Sequence, residues 1–432
     1  MQRVGRAVVA KESRRASREG LFAWLALPAI AVVTLIGAQS ALASLFALLT
    51  ARLLGPNDRG VVVLITTTSS LLMLCGSLGV ATSGRMLLSR GERSYPLSRH
   101  YRLTSRLSLA HVLTSALLGL PLLVVTHSWR GIAVGIWLII YSVGVLKSYF
   151  ERETLHGLQR HRTAIAIDLF TAAVQALGLG FLLIVNAVRL VPVLAVMTIA
   201  IWAQVVIAIG ATRNIRRARF RGLELMSLTA LLGISWPALV AALGQAYVVR
   251  GDRIMLGLLG DTRSVGIYGT SATIAEAIWL VPLGLSQVVF SRSANGDMRA
   301  VSKYRRLSLT ASVAASAAIF FLAPDIVRYL LGAQYAEAIP LIRFLTVAAV
   351  AMGVFLIEAA VLNGQGNLAL PAKVASIGAL VMLVLCVVLV PRLGAYGAAW
   401  ATVASYGLLG LLARLGARRK ENSLSEVRTH LE

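Results

Sequence analysis

Glu276 stands about twelve residues into an apolar run spanning 264–290, near the middle of a stretch long enough to cross a membrane. A charged side chain at that depth is costly, so each one is a candidate functional group. Its nearest basic neighbours in sequence, Arg263 and Arg292, lie roughly 20–24 Å away along a helix, so any partner comes from another helix. Glu276 reads either as a site for a coupled cation or as a protonated, hydrogen-bonded packing residue. Just upstream, Arg250, Asp252 and Arg253 form a charged group at the end of the preceding apolar run. Arg250 and Arg253 are three apart and share a helix face. With Asp252 holding one arginine in a local pair, the group keeps a net +1 for an anion; the alternative is a purely structural ion pair.

Two further sets occupy related places in the two halves of the chain. Arg52 and Arg59 flank Leu53-Leu54-Gly55-Pro56-Asn57-Asp58-Arg59-Gly60, and a similar phrase, Leu258-Leu259-Gly260-Asp261-Thr262-Arg263-Ser264-Val265-Gly266, follows about 205 residues later. Glu151 and Glu358 lie at matched positions, each six residues before a glycine, in Glu151…Leu155-His156-Gly157 and Glu358…Leu362-Asn363-Gly364. Acids so related can face each other across a pseudo-two-fold axis as a gate or cation site. Alternatively Glu151 pairs with Arg152 or Lys147, and both acids are inherited helix-end features. Two echoes at nearly one offset indicate a duplicated unit. Many transporters are built from paired repeats with the substrate path between them.

The elements that must carry these groups are membrane helices. Of 432 residues 57% are hydrophobic and 14% charged, far below the roughly 25% charged residues of soluble domains. Apolar runs of about 20 residues recur along the chain. The expected spans are 22–49, 60–82, 107–126, 131–150, 163–186 and 190–211, then 226–258, 264–290, 307–323, 341–363, 372–391 and 394–413. This is an all-α membrane protein of about twelve helices, an N-terminal six-helix lobe (1–225) and a C-terminal one (226–432), each with a basic cytoplasmic tail. Pro237 and Pro282 fall inside spans, where proline favours a kink; Pro121, Pro371 and Pro391 lie near span ends.

The net charge of +24 is concentrated: 32 of the 42 lysines and arginines fall in the two tails and in alternate connections. That asymmetry places both termini in the cytoplasm. Basic side chains beside an anionic leaflet each contribute roughly 1 kcal/mol of attraction, so the clusters also anchor the bundle on membrane lipid. Charge in short interhelical clusters argues against nucleic acid as a partner. Residues 22–49 are too long for the apolar core of a signal peptide and read as the first membrane helix. No phosphate loop, HExxH or GxSxG motif is present, so no enzyme chemistry and no cofactor is expected. Cys75 and Cys386 sit in apolar runs as packing residues, and His156 and His161 read as loop residues, so no metal site is expected either. The polar connections are too short for the external loop typical of membrane glycosyltransferases and ligases.

Several phrases together resemble the oligosaccharide (O-antigen-type) flippases of the multidrug/oligosaccharidyl-lipid/polysaccharide exporter superfamily. They are Ala51-Arg-Leu-Leu-Gly-Pro-Asn-Asp-Arg-Gly60, Arg253-Ile-Met-Leu-Gly-Leu-Leu-Gly260, Gly266-Ile-Tyr-Gly269, Leu330-Leu-Gly332, Leu362-Asn-Gly-Gln-Gly366 and Val390-Pro-Arg-Leu-Gly-Ala-Tyr-Gly-Ala-Ala-Trp-Ala401. The resemblance implies two six-helix lobes around a central cavity and alternating access for undecaprenyl-diphosphate-linked oligosaccharides in the cytoplasmic (inner) membrane, serving cell-surface polysaccharide such as lipopolysaccharide. By the same resemblance the cavity is cationic, with Arg52, Arg59, Arg250 and Arg253 as its substrate-binding residues. Asp252, Glu276, Glu151 and Glu358 are then coupling or gating residues, with H+ or Na+ as the candidate cation. Alternatives are a cation-coupled drug exporter of the same superfamily and a flippase for the peptidoglycan lipid precursor. A two-lobed bundle forms its cavity without a second copy, so a monomer is expected.

Overall fold

A backbone in hydrocarbon has no water to bond, so apolar segments of this length form helices that satisfy their own N–H and C=O groups. The computed structural model describes residues 2–92, 94–119, 130–216 and 226–429, and all of its regular elements are helical. Helix α1 (Gln2–Ser77) is two arms joined at Gly55, whose φ of 76° and ψ of 172° break the helix. Pro56 then opens the second arm, where a fixed φ and a missing N–H cost nothing. The loop expected between the first two spans is therefore a one-residue break. The second crossing ends in α2 (Val80–Ser89).

The first half continues with α3 (Leu97–Thr114), which runs on as a wide turn over Ser115–Gly119, then α4 (Arg130–Gly157), α5 (His161–Ile184) and α6 (Leu190–Arg216). The second half begins with α7 (Leu228–Leu259) and α8 (Thr262–Glu276), a 3-10 turn at Ala277–Trp279, and α9 (Leu280–Ala294). It ends with α10 (Met298–Asp325), α11 (Ala338–Gly364), α12 (Ala369–Leu393) and α13 (Ala395–Thr429). Ten helical stretches are long and apolar enough to cross a membrane among the described residues. The first of these holds both arms of α1, and α3, whose apolar run of 107–126 extends past the described residues, supplies the twelfth pass. Pro121, the end of the third span and the junction at 225 lie outside the described residues, as do the basic side chains of the N-terminal tail.

The two prolines within spans behave differently. Pro282 has no N–H for the carbonyl four residues back and crowds it, and there the helix tightens into the turn at Ala277–Trp279. Pro237 lies within α7, which runs from Leu228 to Leu259 as one helix.

In the first half α4, α5 and α6 pack on one another and on α1; in the second, α11 and α13 form the centre against α10 and α12. The halves meet at both ends of the bundle. At the end away from the basic connections, α1 crosses α8 at Gly60 and Gly266. A Cβ on Gly60 would sit 1.8 Å from the carbonyl oxygen of Thr262, and one on Gly266 would sit 1.9 Å from that of Pro56. The two clashes are images of each other, so the duplicated glycines lie on the pseudo-two-fold axis. At the basic end, Ser83 on α2 and Ser235 on α7 share a hydrogen bond of 2.6 Å.

Helix α3 turns a polar stripe inward: His100, Thr104, Ser108, His111 and Ser115 are all buried. His100 bonds Tyr95 at 3.0 Å and Thr154 on α4 at 2.9 Å, and His111 bonds Ser142 on α4 at 2.9 Å. Gly76 and Gly84 leave room for the two imidazoles, since a Cβ there would lie 2.2 Å from His111 Nδ1 and 2.8 Å from His100.

Candidate functional site

A cavity of about 340 Å³ lies between the halves. The first half contributes both arms of α1, with Phe46, Arg59 and Thr66, together with Tyr141 (α4), Gln175 (α5) and Met197 (α6). The second half contributes Arg250 and Arg253 from α7, and Gly269, Thr273 and Glu276 from α8. Three guanidiniums thus face one carboxylate. Glu276 is the last residue of α8, where the helix tightens ahead of Pro282, and its side chain reaches across to α7. Arg253 donates a short hydrogen bond to it, and Arg250 lies 3.7 Å from the same oxygen. The partners of Glu276 come from another helix, one turn apart on one face of α7.

Asp252 takes a different part from the one expected of it. Its carboxylate holds neither guanidinium. One oxygen accepts the backbone N–H of Arg253 at 2.7 Å, and the other accepts the hydroxyl of Tyr268 at 2.6 Å and that of Thr402 at 3.2 Å. The pair expected between Asp252 and an arginine is therefore replaced by a polar knot behind the cavity wall, tying α7 to α8 and α13. Asp252 and Arg253 are adjacent and leave α7 about 100° apart, and of the two only Arg253 lines the cavity.

Arg59 is buried and donates to Thr50 on the first arm of α1 at 2.9 Å. The Nε groups of Arg59 and Arg253 are both buried without an acceptor. Buried donors normally find partners, so this wall offers more donors than its own acceptors take up. Arg52 does not join it. The break at Gly55 leaves Arg52 exposed on the other arm, donating to the carbonyl of Tyr329, while Gln334 Nε2 donates to the carbonyl of Arg52 at 2.9 Å. Arg52 clasps the halves at the end of the bundle and is not a cavity residue.

Glu151 and Glu358 are both buried towards the basic end, apart from the cavity lining. Glu358 on α11 is held within its own half by Arg414 and by Arg305, the latter at 2.6 Å. Arg305 bonds Glu421 as well, at 2.6 Å. The picture of two acids facing each other gives way to a carboxylate clamped between α10 and α13. His156 and His161, expected as loop residues, close the α4–α5 turn with their Nδ1 atoms 2.9 Å apart. Among the described residues no cluster of three His, Cys, Asp or Glu could hold a metal ion, and Cys75 and Cys386 are free thiols.

The uncharged polar groups at the site carried no signal of their own. Thr50, Tyr141, Gln175, Tyr268 and Thr402 sit singly in apolar runs, and only the turn pattern Gly266-Ile-Tyr-Gly269 marked one of them.

No protein-family model and no curated protein matches the chain by sequence. Solved structures do match by shape. A multidrug resistance MATE family transporter of the MOP superfamily, in an inward-facing conformation, superposes with a TM-score of 0.69 at 14% identity over 90% of this chain and 96% of its own. The fold is that of MOP-superfamily transporters. The lipid II flippase MurJ in an inward closed conformation gives 0.73 at 15% identity, over 90% of this chain and 87% of its own. A MOP superfamily transporter from Pyrococcus furiosus, described as having a binding pocket of reverse polarity, gives 0.56 at 14% identity over 92% and 95%. The twelve-pass, two-lobed architecture expected from the sequence is thus the observed one, and the resemblance to the exporter superfamily extends to the whole fold.

Proposed function

We propose that this chain is a flippase. It carries a lipid-linked oligosaccharide with a diphosphate linker across the cytoplasmic membrane by alternating access, supplying cell-surface polysaccharide. The observation behind this reading is the charge of the cavity: Arg59, Arg250 and Arg253 against Glu276 leave a net +2 on the lining. A diphosphate carries about two negative charges, and guanidiniums match phosphate oxygens in geometry as well as charge. The volume is on the scale of a small-molecule site, roughly 300–1,000 Å³, enough for a polar head while the lipid tail stays in the bilayer. The basic connections support a cytoplasmic location for both termini. Export of the diphosphate from a negative interior is then favoured by roughly 2.3 kcal/mol per charge per 100 mV. In this reading Glu276 holds Arg250 and Arg253 in place and yields them to the phosphates, and the lobes work as a monomer.

A second reading rests on Glu276 being the one acid on the cavity wall among the described residues. Protonation or Na+ binding there would free both arginines, which is the coupling a drug exporter needs. A flippase for the peptidoglycan lipid precursor shares the diphosphate and differs in the sugar.

The test is flipping of a fluorescent undecaprenyl-diphosphate oligosaccharide in proteoliposomes, with and without an inside-negative potential. Wild type is compared with Arg250→Ala/Arg253→Ala and Glu276→Gln. Flipping that follows the potential and is lost in the double-arginine variant is the expected result. Efflux of soluble cations driven by H+ or Na+, with no lipid flipping, replaces the proposal with the exporter; transport confined to the peptidoglycan precursor replaces the oligosaccharide.

A further inference from the structure

A second cluster of arginines lies away from the cavity, at the basic end of the C-terminal half. Arg305 and Arg306 on α10 and Arg414 and Arg418 on α13 surround a pocket of about 320 Å³, whose floor is α11 with Val350, Val354, Ile357 and Glu358. Four guanidiniums meet two carboxylates, and both carboxylates are already engaged: Glu358 by Arg305 and Arg414, and Glu421 by Arg305. Among the described residues Arg306 and Arg418 have no ion pair, and the Nε of Arg305 is buried without an acceptor. The pocket therefore keeps a net +2 that its own acids do not absorb.

Its depth and its walls restrict what could meet that charge. Arg305 and Arg306 precede the apolar run that starts at 307, and Arg414 and Arg418 follow the one that ends at 413, so the cations sit at the membrane boundary. Ser308, Leu309 and Ser312 line the pocket one to two turns deeper. Beside it Leu309, Val313 and Leu411 are exposed, an apolar flank suited to acyl chains. A soluble anion would use only the charged rim; an anionic phospholipid would use the rim, the serines and the apolar flank together. Basic pockets between membrane helices on the cytoplasmic side are suited to such headgroups.

We propose that this pocket is a binding site for the headgroup of an anionic phospholipid, with the phosphate between Arg306 and Arg418 and the glycerol at Ser308 and Ser312. The Arg305–Glu358–Arg414 clamp forms its rigid back wall. Bound lipid then ties α10 to α13 across α11. The site is independent of what the central cavity carries.

Native mass spectrometry of the full chain measures it, with phosphatidylglycerol against phosphatidylcholine of the same acyl chains. Wild type should bind phosphatidylglycerol preferentially. Arg306→Ala/Arg418→Ala, which removes two exposed side chains outside the clamp, should weaken that binding about 30-fold, from roughly fivefold per basic side chain. Lys373→Ala/Arg419→Ala, which removes the same charge from the groove between α12 and α13, should leave it within a factor of two. A photoactivatable phosphatidylglycerol should label the ends of α10 and α13 in the wild type, which requires no variant to fold. Equal loss in the two double variants, no loss in the first, labelling elsewhere, or displacement of the lipid by millimolar inorganic phosphate would each overturn the assignment.

Discussion

Replacing Gly60 by alanine tests whether the lobes part at the glycine crossing. The added Cβ would lie 1.8 Å from the carbonyl oxygen of Thr262, where an ordinary contact needs about 3.4 Å. The crossing must therefore open by roughly 1.5 Å. Both obstacles, Thr262 O and the backbone N of Gly266, are main chain, so no side-chain rotation relieves the clash. Overpacking of this kind costs typically 1–3 kcal/mol. All of that cost falls on the conformation in which α1 and α8 touch, and a conformation in which they part escapes it. A differential of this size shifts a two-state equilibrium roughly 5- to 150-fold. Pairs of spin labels on the two halves near this end report the populations by their distance distributions. Gly60→Ala should enlarge the long-distance population, and Gly266→Ala should do the same through Pro56. Gly284→Ala, at a position with open space around it, should change nothing. If Gly60→Ala leaves the distances of the wild type unchanged while the protein stays folded, the crossing is not the point at which the halves separate.

Three further outcomes are expected. Glu276→Ala leaves Arg253 buried without its carboxylate, which should destabilise the protein by about 3–5 kcal/mol, and adding Arg253→Met should restore most of the loss in a thermal melt. Arg52→Gln should flip substrate as the wild type does while Arg59→Gln should not, in the proteoliposome assay, because Arg52 is outside the cavity. Glu337, between α10 and α11, bonds Arg263 at 2.8 Å, and that guanidinium holds its carboxyl below the usual carboxylate range. A depressed folded-state pKa gives stability that is present above the unfolded value and is lost as pH falls through the folded one. The pair is exposed and contributes under about 1 kcal/mol, so the melting curves of wild type and Glu337→Gln should differ slightly at neutral pH and merge in acid.

Hydropathy made the twelve passes legible, because helix length in a bilayer is set by hydrocarbon thickness. The duplicated glycine phrase pointed to the axis for a steric reason: only a residue without a Cβ permits two backbones this close. The burden carried by Glu276 was also visible, since an acid at that depth with no local cation needs one from a neighbouring helix. What failed was direction. Arg52 and Arg59 are seven residues apart, and a single left-handed residue, Gly55, sends one to the surface and the other into the cavity. Asp252 and Arg253 are adjacent, and helical geometry alone turns them to different sides. Glu358 was matched with Glu151 by repeat position, yet its charge is taken up by Arg305 and Arg414, more than 50 residues away in either direction. Polar groups such as Tyr268 and Thr402 gain meaning only when α8 and α13 meet at Asp252.

The inward stripe of α3 bears on how the protein is made. This helix carries Arg99, Arg102 and Arg106 besides its histidines. As it leaves the ribosome, Gly76 and Gly84 are already in place to receive its imidazoles, but Thr154 and Ser142, which bond them, belong to a helix not yet synthesised. Partition of α3 into lipid alone would strip those polar groups of water with nothing in exchange. The expected consequence is that α3 settles in the bilayer together with α4, against α1 and α2. A nascent chain stalled after α3 should leave that helix accessible to soluble reagents, and the same chain extended through α4 should not.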